Sequence, residues 1–210
     1  VQQEVLGAGN YPGRLVQIIS LGLQPRPPHQ GVEKKPAFTA YLNYELADEF
    51  MKDEEGNEIE DKPRWVGEFV PLLPLTSDRA KSTLRYKALD PEQVHEGDFA
   101  KLVGQGVNIT VSQYESKGAQ RNGVMNLTPM RQKDLDRLPE LKNPSLVFDI
   151  DNPTQETWER VPSWLQEICK NNLEFRGSAL EKFLGGASET PAPVKESDVP
   201  EVDLDDDAPF

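Results

Sequence analysis

The sequence predicts a mainly β fold with added helices, ending in an acidic tail. Five stretches of strand length, alternating or β-branched, lie between Arg14 and Pro129. A basic helical segment separates the third from the fourth. From Glu189 onward the composition turns to acids and prolines with few large apolar groups, which predicts disorder. The expected divisions are a β domain over 1–150, a helical extension packed on it over 151–186, and a disordered acidic tail over 187–210.

A chain of 210 residues can form one sizeable domain plus a tail, or two small domains. Its hydrophobic fraction is 36%, with three Trp, five Tyr and eight Phe to seed a core. The net charge of −13 is unevenly placed. Eight acids against Lys195 leave residues 189–210 at −7, and the remainder therefore at −6. A body of that sign argues against nucleic-acid binding unless Lys and Arg cluster locally. The single Cys169 excludes an internal disulfide and a multi-cysteine zinc site; its helical apolar setting predicts a buried thiol. No apolar run approaches a membrane span and no basic-plus-apolar leader opens the chain, so a soluble intracellular protein is expected.

Residues 1–10 lack periodicity and read as a loose arm, followed by a turn at Tyr11-Pro12-Gly13. Arg14 to Leu23 is a β-branched strand with Gly22 as a bulge or bend. Residues 24–36 form a proline-rich loop holding Arg26, His29, Lys34 and Lys35. Phe38, Ala40, Leu42, Tyr44 and Leu46 then alternate with Thr39, Tyr41, Asn43 and Glu45, a half-buried strand that puts Tyr41 on the polar face. The acidic stretch 48–61 around Gly56-Asn57 is a hairpin tip; it lacks the spacing of a calcium loop. Arg64 to Leu72 is the third strand, with Trp65, Gly67 and Phe69 opposite Val66, Glu68 and Val70.

Asp78 is an expected N-cap for a helix carrying Arg79, Lys81, Arg85 and Lys87 with no acid inside it. Asp90-Pro91 ends it, and a short helix follows over 98–103. Val107, Ile109 and Val111 face one way in the fourth strand, while Asn108, Thr110, Ser112 and Tyr114 face the other. Residues 115–123 read as a net-basic loop with Lys117 and Arg121, ending in the hairpin signal Asn122-Gly123. Val124 to Pro129 is the fifth strand. Ser145 to Ile150 offers a further strand. Trp158, Trp164, Leu165, Ile168 and Leu173 suggest helical packing with Pro162 at a helix start, and 178–184 a last helix.

The tail ends Asp205-Asp206-Asp207-Ala208-Pro209-Phe210. A free acidic arm closing on an aromatic hook suits a basic-rimmed apolar pocket on another protein: the charges steer and the ring supplies the contact. A merely solubilising tail gives no reason for the final Pro-Phe. These six residues resemble the acidic tip of bacterial single-stranded-DNA-binding proteins, whose phage counterparts also end in acids plus Phe. The resemblance implies that Asp205, Asp206, Asp207, Pro209 and Phe210 bind replication or recombination partners such as a polymerase, helicase, primase or nuclease.

Three strands, a helical insert and two strands is also the order of an OB-fold, a five-stranded barrel that binds oligonucleotides across one face. Residues 10–150 look like the OB-fold single-stranded-DNA-binding domain of tailed phages. The resemblance implies sequence-independent binding that protects single strands in replication, recombination and repair, in the host bacterial cytoplasm if phage-encoded. Such binding needs rings to stack on bases and cations to meet phosphates. Tyr41 and Tyr114 are the rings on otherwise polar strand faces, with Trp65 as a third; the alternative for the tyrosines is a surface cross-strand pair. Arg79, Lys81, Arg85, Lys87, Lys117 and Arg121 are the expected phosphate contacts, with Arg14, Lys34 and Lys35 behind them. Lys81 and Arg85 share a helix face; the alternative is an ordinary solvated helix.

No phosphate loop, metalloprotease helix or Ser-His-Asp pattern is present, and Asp149 with Asp151 is too little for a metal nuclease, so no enzyme, cofactor or metal is expected. The rival reading is a protein–protein adaptor that uses the same tail, which the negative body favours. A duplex-DNA architectural protein fits such a charge less well.

Overall fold

The computed structural model describes residues 4–28 and 30–185. Strands β1 (Gly9–Gln24), β2 (Ala37–Lys52) and β3 (Glu58–Pro71) are followed by α1 (Lys81–Leu89) and a 3₁₀ turn (Phe99–Leu102). Strands β4 (Gly106–Ser116) and β5 (Ala119–Pro129) come next, then α2 (Gln132–Leu135) and β6 (Leu146–Phe148). Helices α3 (Gln155–Arg160), α4 (Ser163–Lys170) and α5 (Ala179–Phe183) complete the described chain. The protein is thus mainly β with a few helices.

The strands form one sheet in the order β3-β2-β1-β4-β5, antiparallel throughout, with β6 added in parallel beside β1. β3 and β5 are its two ends, and the sheet does not close through a strand ladder. It curls enough to bring those ends near each other and to set α1 against both.

Alternation along the strands places one set of side chains inside the curl. Leu15, Ala40, Leu42, Tyr44, Leu46, Val66, Val70, Val107, Ile109, Val111 and Leu127 form this core with Tyr86 and Leu89 of α1. The opposite face is also covered. Ile19 and Leu21 of β1 pack with Leu146 and Phe148 of the neighbouring β6 and with Trp158, Val161, Leu165, Cys169 and Leu180, so the last three helices cover the outer face of the sheet there. Cys169 is fully buried there, and burial pushes its thiol up to about 12. Native protein at pH 8 should therefore leave Cys169 unmodified by a thiol reagent, with reaction appearing only as denaturant unfolds the chain.

Several local expectations are corrected. Tyr11-Pro12-Gly13 is strand: Tyr11, Pro12 and Gly13 pair with Ile109, Asn108 and Val107. β2 begins its pairing with β1 only at Gly13, so the missing N–H of Pro12 falls where β1 has one neighbour. The 115–123 loop is a tight hairpin turning at Lys117-Gly118, both at positive φ (50° and 73°), while Asn122 and Gly123 pair inside β5. The Asn122 side chain is used elsewhere, accepting from the Leu6 N–H and donating to the Leu6 carbonyl. The helix expected to start after Asp78 has Ala80 at its N-cap with no side-chain cap, and Asp78 instead pairs with Lys87 at 2.8 Å. Gly22 is a bend as predicted, at φ 75° beside a register shift in β1.

Candidate nucleic-acid interface

The meeting of β3 with β5 organises the candidate site. Glu68 is on β3's inward face, buried at 6% exposure, and Arg85 of α1 is buried at 2%. The Arg85 guanidinium grips the carboxylate side-on, Nε to Oε1 at 2.8 Å and Nη2 to Oε2 at 3.0 Å. Its remaining reach goes to β5: the carbonyls of Met125 (3.2 Å) and Val124 (3.4 Å) and the Asn126 side chain (3.5 Å). A bulge in β5 places Met125 between the Val124 and Asn126 pairings with β4, where it has no partner across the ladder. Tyr44 donates to Glu68 Oε1 at 2.9 Å, and the Lys81 ammonium lies 3.1 Å from Oε2. Arg85 therefore spans the two sheet ends that no backbone ladder joins.

Burial pushes the Glu68 carboxyl up, but the Arg85 and Lys81 charges, with hydrogen bonds from Arg85 and Tyr44, outweigh it and hold it below the usual range. Two cations against one carboxylate leave this buried cluster net positive.

The expectation of a solvent-facing Lys81–Arg85 stripe is thereby corrected. The two residues share a face, as helical spacing requires, but the face points at the sheet. Lys81 keeps 14% side-chain exposure and also donates to the Phe69 carbonyl at 3.0 Å. Spacing identifies a common face; it carries no information about what that face packs against. Arg14, a second-rank phosphate contact, is likewise structural, donating to the carbonyls of Gly104, Leu138 and Pro139.

On the outward side of the seam, Tyr41 and Tyr114 come near one another. Tyr41 of β2 extends its hydroxyl over Gly67 of β3, and Tyr114 of β4 lays its ring beside Gly123 of β5. Burial, then the Glu68 charge and then Tyr114 itself, raise the Tyr41 phenol to about 12. A methyl at Gly67 would overlap the Tyr41 hydroxyl, so Gly67→Ala should destabilise by about 1–3 kcal/mol, read from a urea midpoint.

The two tyrosines differ in access. Tyr114 is 43% exposed, with Arg121 opposite it across the hairpin. Tyr41 is largely covered, which corrects its reading as a free surface ring. Trp164 of α4 covers this part of β2's polar face, standing edge-on to Tyr41 (5.3 Å between centroids, 89°). Phe69 completes this cluster, 5.1 Å from Tyr41 and 6.1 Å from Trp164. Trp164 itself is 41% exposed. Sequence reasoning had it as helical packing alone; nothing in the local pattern distinguishes it from buried Trp158.

Trp65 is 36% exposed on the same outward face of β3 as Gly67 and Phe69. Arg79, Lys117 and Arg121 are exposed, and Lys87 is half-exposed in its pair with Asp78. The tail residues Asp205, Asp206, Asp207, Pro209 and Phe210, with His29, lie outside the described residues.

Among the described residues no three His, Cys, Asp or Glu side chains gather as a metal site, and no helix is long and apolar enough to cross a membrane. No family model and no curated protein matches the chain.

Proposed function

We propose that this chain binds single-stranded DNA without sequence preference, across the outward side of the β3–β5 seam. The observation that carries the reading is the set of aromatic side chains on that face: Tyr41 and Phe69 in contact, Tyr114 half-exposed and close enough to act on the Tyr41 phenol, and Trp65 half-exposed on the same face of β3 as Phe69. Exposed rings on a sheet serve single strands, because a base face stacks on them without regard to sequence. Arg121 beside Tyr114, Lys117 at the hairpin turn, and Arg79 and Lys87 on the α1 side supply phosphate contacts. The buried net-positive cluster adds to the field from behind.

The strand path β3-β2-β1-β4-β5, with its helix between β3 and β4, supports an OB-fold whose last closure is made by Arg85 in place of a ladder. The role is binding rather than catalysis. In this reading residues 205–210 recruit replication and recombination proteins. The test is a fluorescence titration of the whole chain with oligo-dT and with a matched duplex, at two salt concentrations. Salt-sensitive binding that favours the single strand is expected; equal binding to the duplex, or none to either, overturns it.

The second reading, an adaptor that binds only proteins, draws on the net charge of −13. It predicts no oligo-dT binding at low salt even with residues 187–210 removed.

A further inference from the structure

We infer that Trp164 is the outermost base-stacking ring of this surface, which makes the helical extension part of the DNA-binding face. The inference rests on the single-strand reading above.

The outward face of β2 and β3 would ordinarily present Tyr41 and Phe69 to a base, but the structure gives their outer position to Trp164. The indole meets Tyr41 at 89° and Phe69 at 68°, so both neighbours contact it edge-to-face. That arrangement fixes the ring's orientation while leaving it 41% exposed. Its helix is anchored immediately behind it: Leu165 and Cys169 are fully buried, and Gln166 donates to the Trp158 carbonyl at 2.8 Å. A ring held this way loses little freedom when a base stacks on it.

The contrast within the extension sharpens the point. Trp158 is 8% exposed and packs against Phe148, 5.5 Å between centroids, as a core indole does. Trp164 caps aromatic rings and keeps a face in water. Charge fits the proposed occupant as well: the Lys81 ammonium lies 3.0 Å from the Phe69 carbonyl, within the net-positive cluster below the rings. That charge adds to the field at the rings without itself meeting a phosphate, since Lys81 and Arg85 are held by Glu68.

Two measurements on the full chain test this. Trp164→Phe retains a flat ring, whereas Trp164→Leu keeps an apolar cover over Tyr41 and Phe69 but cannot stack. Oligo-dT affinity should stay within about threefold for the first and fall about 5- to 150-fold for the second, with circular dichroism unchanged. In parallel, wild-type protein is irradiated with an oligo-dT carrying 5-iodouracil, and the adduct is mapped by mass spectrometry. An adduct on Trp164 is expected. Wild-type affinity in Trp164→Leu, or adducts confined to the strands, overturns the proposal while leaving single-strand binding intact. If Trp164→Leu misfolds, the wild-type adduct decides alone. Failure of the wild-type chain to bind oligo-dT at all removes the underlying reading and this inference with it.

Discussion

Replacing Arg85 with methionine should cost about 3–5 kcal/mol of folding stability, the largest effect of any single change proposed for this protein. The loss comes from the partner left behind: Glu68 would stay buried with only Lys81 and Tyr44 to meet its charge. The β5 carbonyls of Val124 and Met125 would lose their donor as well. A urea midpoint read by tryptophan fluorescence measures it. The double replacement Glu68→Leu with Arg85→Met should be less damaging than Arg85→Met alone, because it removes the orphaned charge. A double variant as unstable as the sum of its parts would show that the pair does not act as a unit.

The same cluster sets a pH dependence. The folded-state pKa of Glu68 is depressed below its unfolded value. Its contribution is therefore fully present above the unfolded carboxylate pKa, about 4.3, and is lost as pH falls through the lower folded value. Arg85 stays charged throughout. Wild-type protein should lose stability below about pH 4.5 more steeply than Glu68→Gln, which is weaker at neutral pH but has no proton to take up there.

The second large effect is on DNA. Tyr114→Ala and Trp65→Ala should each weaken oligo-dT binding by about 1–3 kcal/mol, with little change in melting temperature since both rings are half-exposed. Arg121→Gln and Lys117→Gln should act differently. Each phosphate contact removed should flatten the slope of log affinity against log salt by about 0.7, while high-salt affinity changes little. Tyr41→Phe separates a packing role from a contact role. Its ring lies under Trp164, so loss of the hydroxyl should leave affinity unchanged. A large loss there would place the DNA on a surface other than the outer ring.

What the sequence determined by itself was the mainly β class, the core of most strands and their inward faces. Alternation such as Ala40, Leu42, Tyr44 and Leu46 is a local consequence of the strand's two-residue period, so it survives into the fold unchanged. Gly22, Pro162 and the hairpin at Gly56-Asn57 were legible for the same reason: each acts on its own few bonds. The pairing of Tyr41 with Tyr114 as the two rings on polar faces also came from period alone.

Only the tertiary structure decided which polar faces meet water. Thr39, Asn43 and Glu45 look solvent-facing in sequence yet are buried: Asn43 meets Gln17 of β1, Glu45 accepts from Lys142 and Asn143, and beside them Trp164 lies over Tyr41. That covering takes Tyr41 out of the surface and puts Trp164 there. Likewise Lys81 and Arg85 of α1 read as a solvent-facing stripe, but both turn inward to a carboxylate on β3, and Arg85 reaches on to β5. The physical reason is common to both: periodicity gives the direction of a side chain relative to its own backbone, while burial depends on segments distant in the chain.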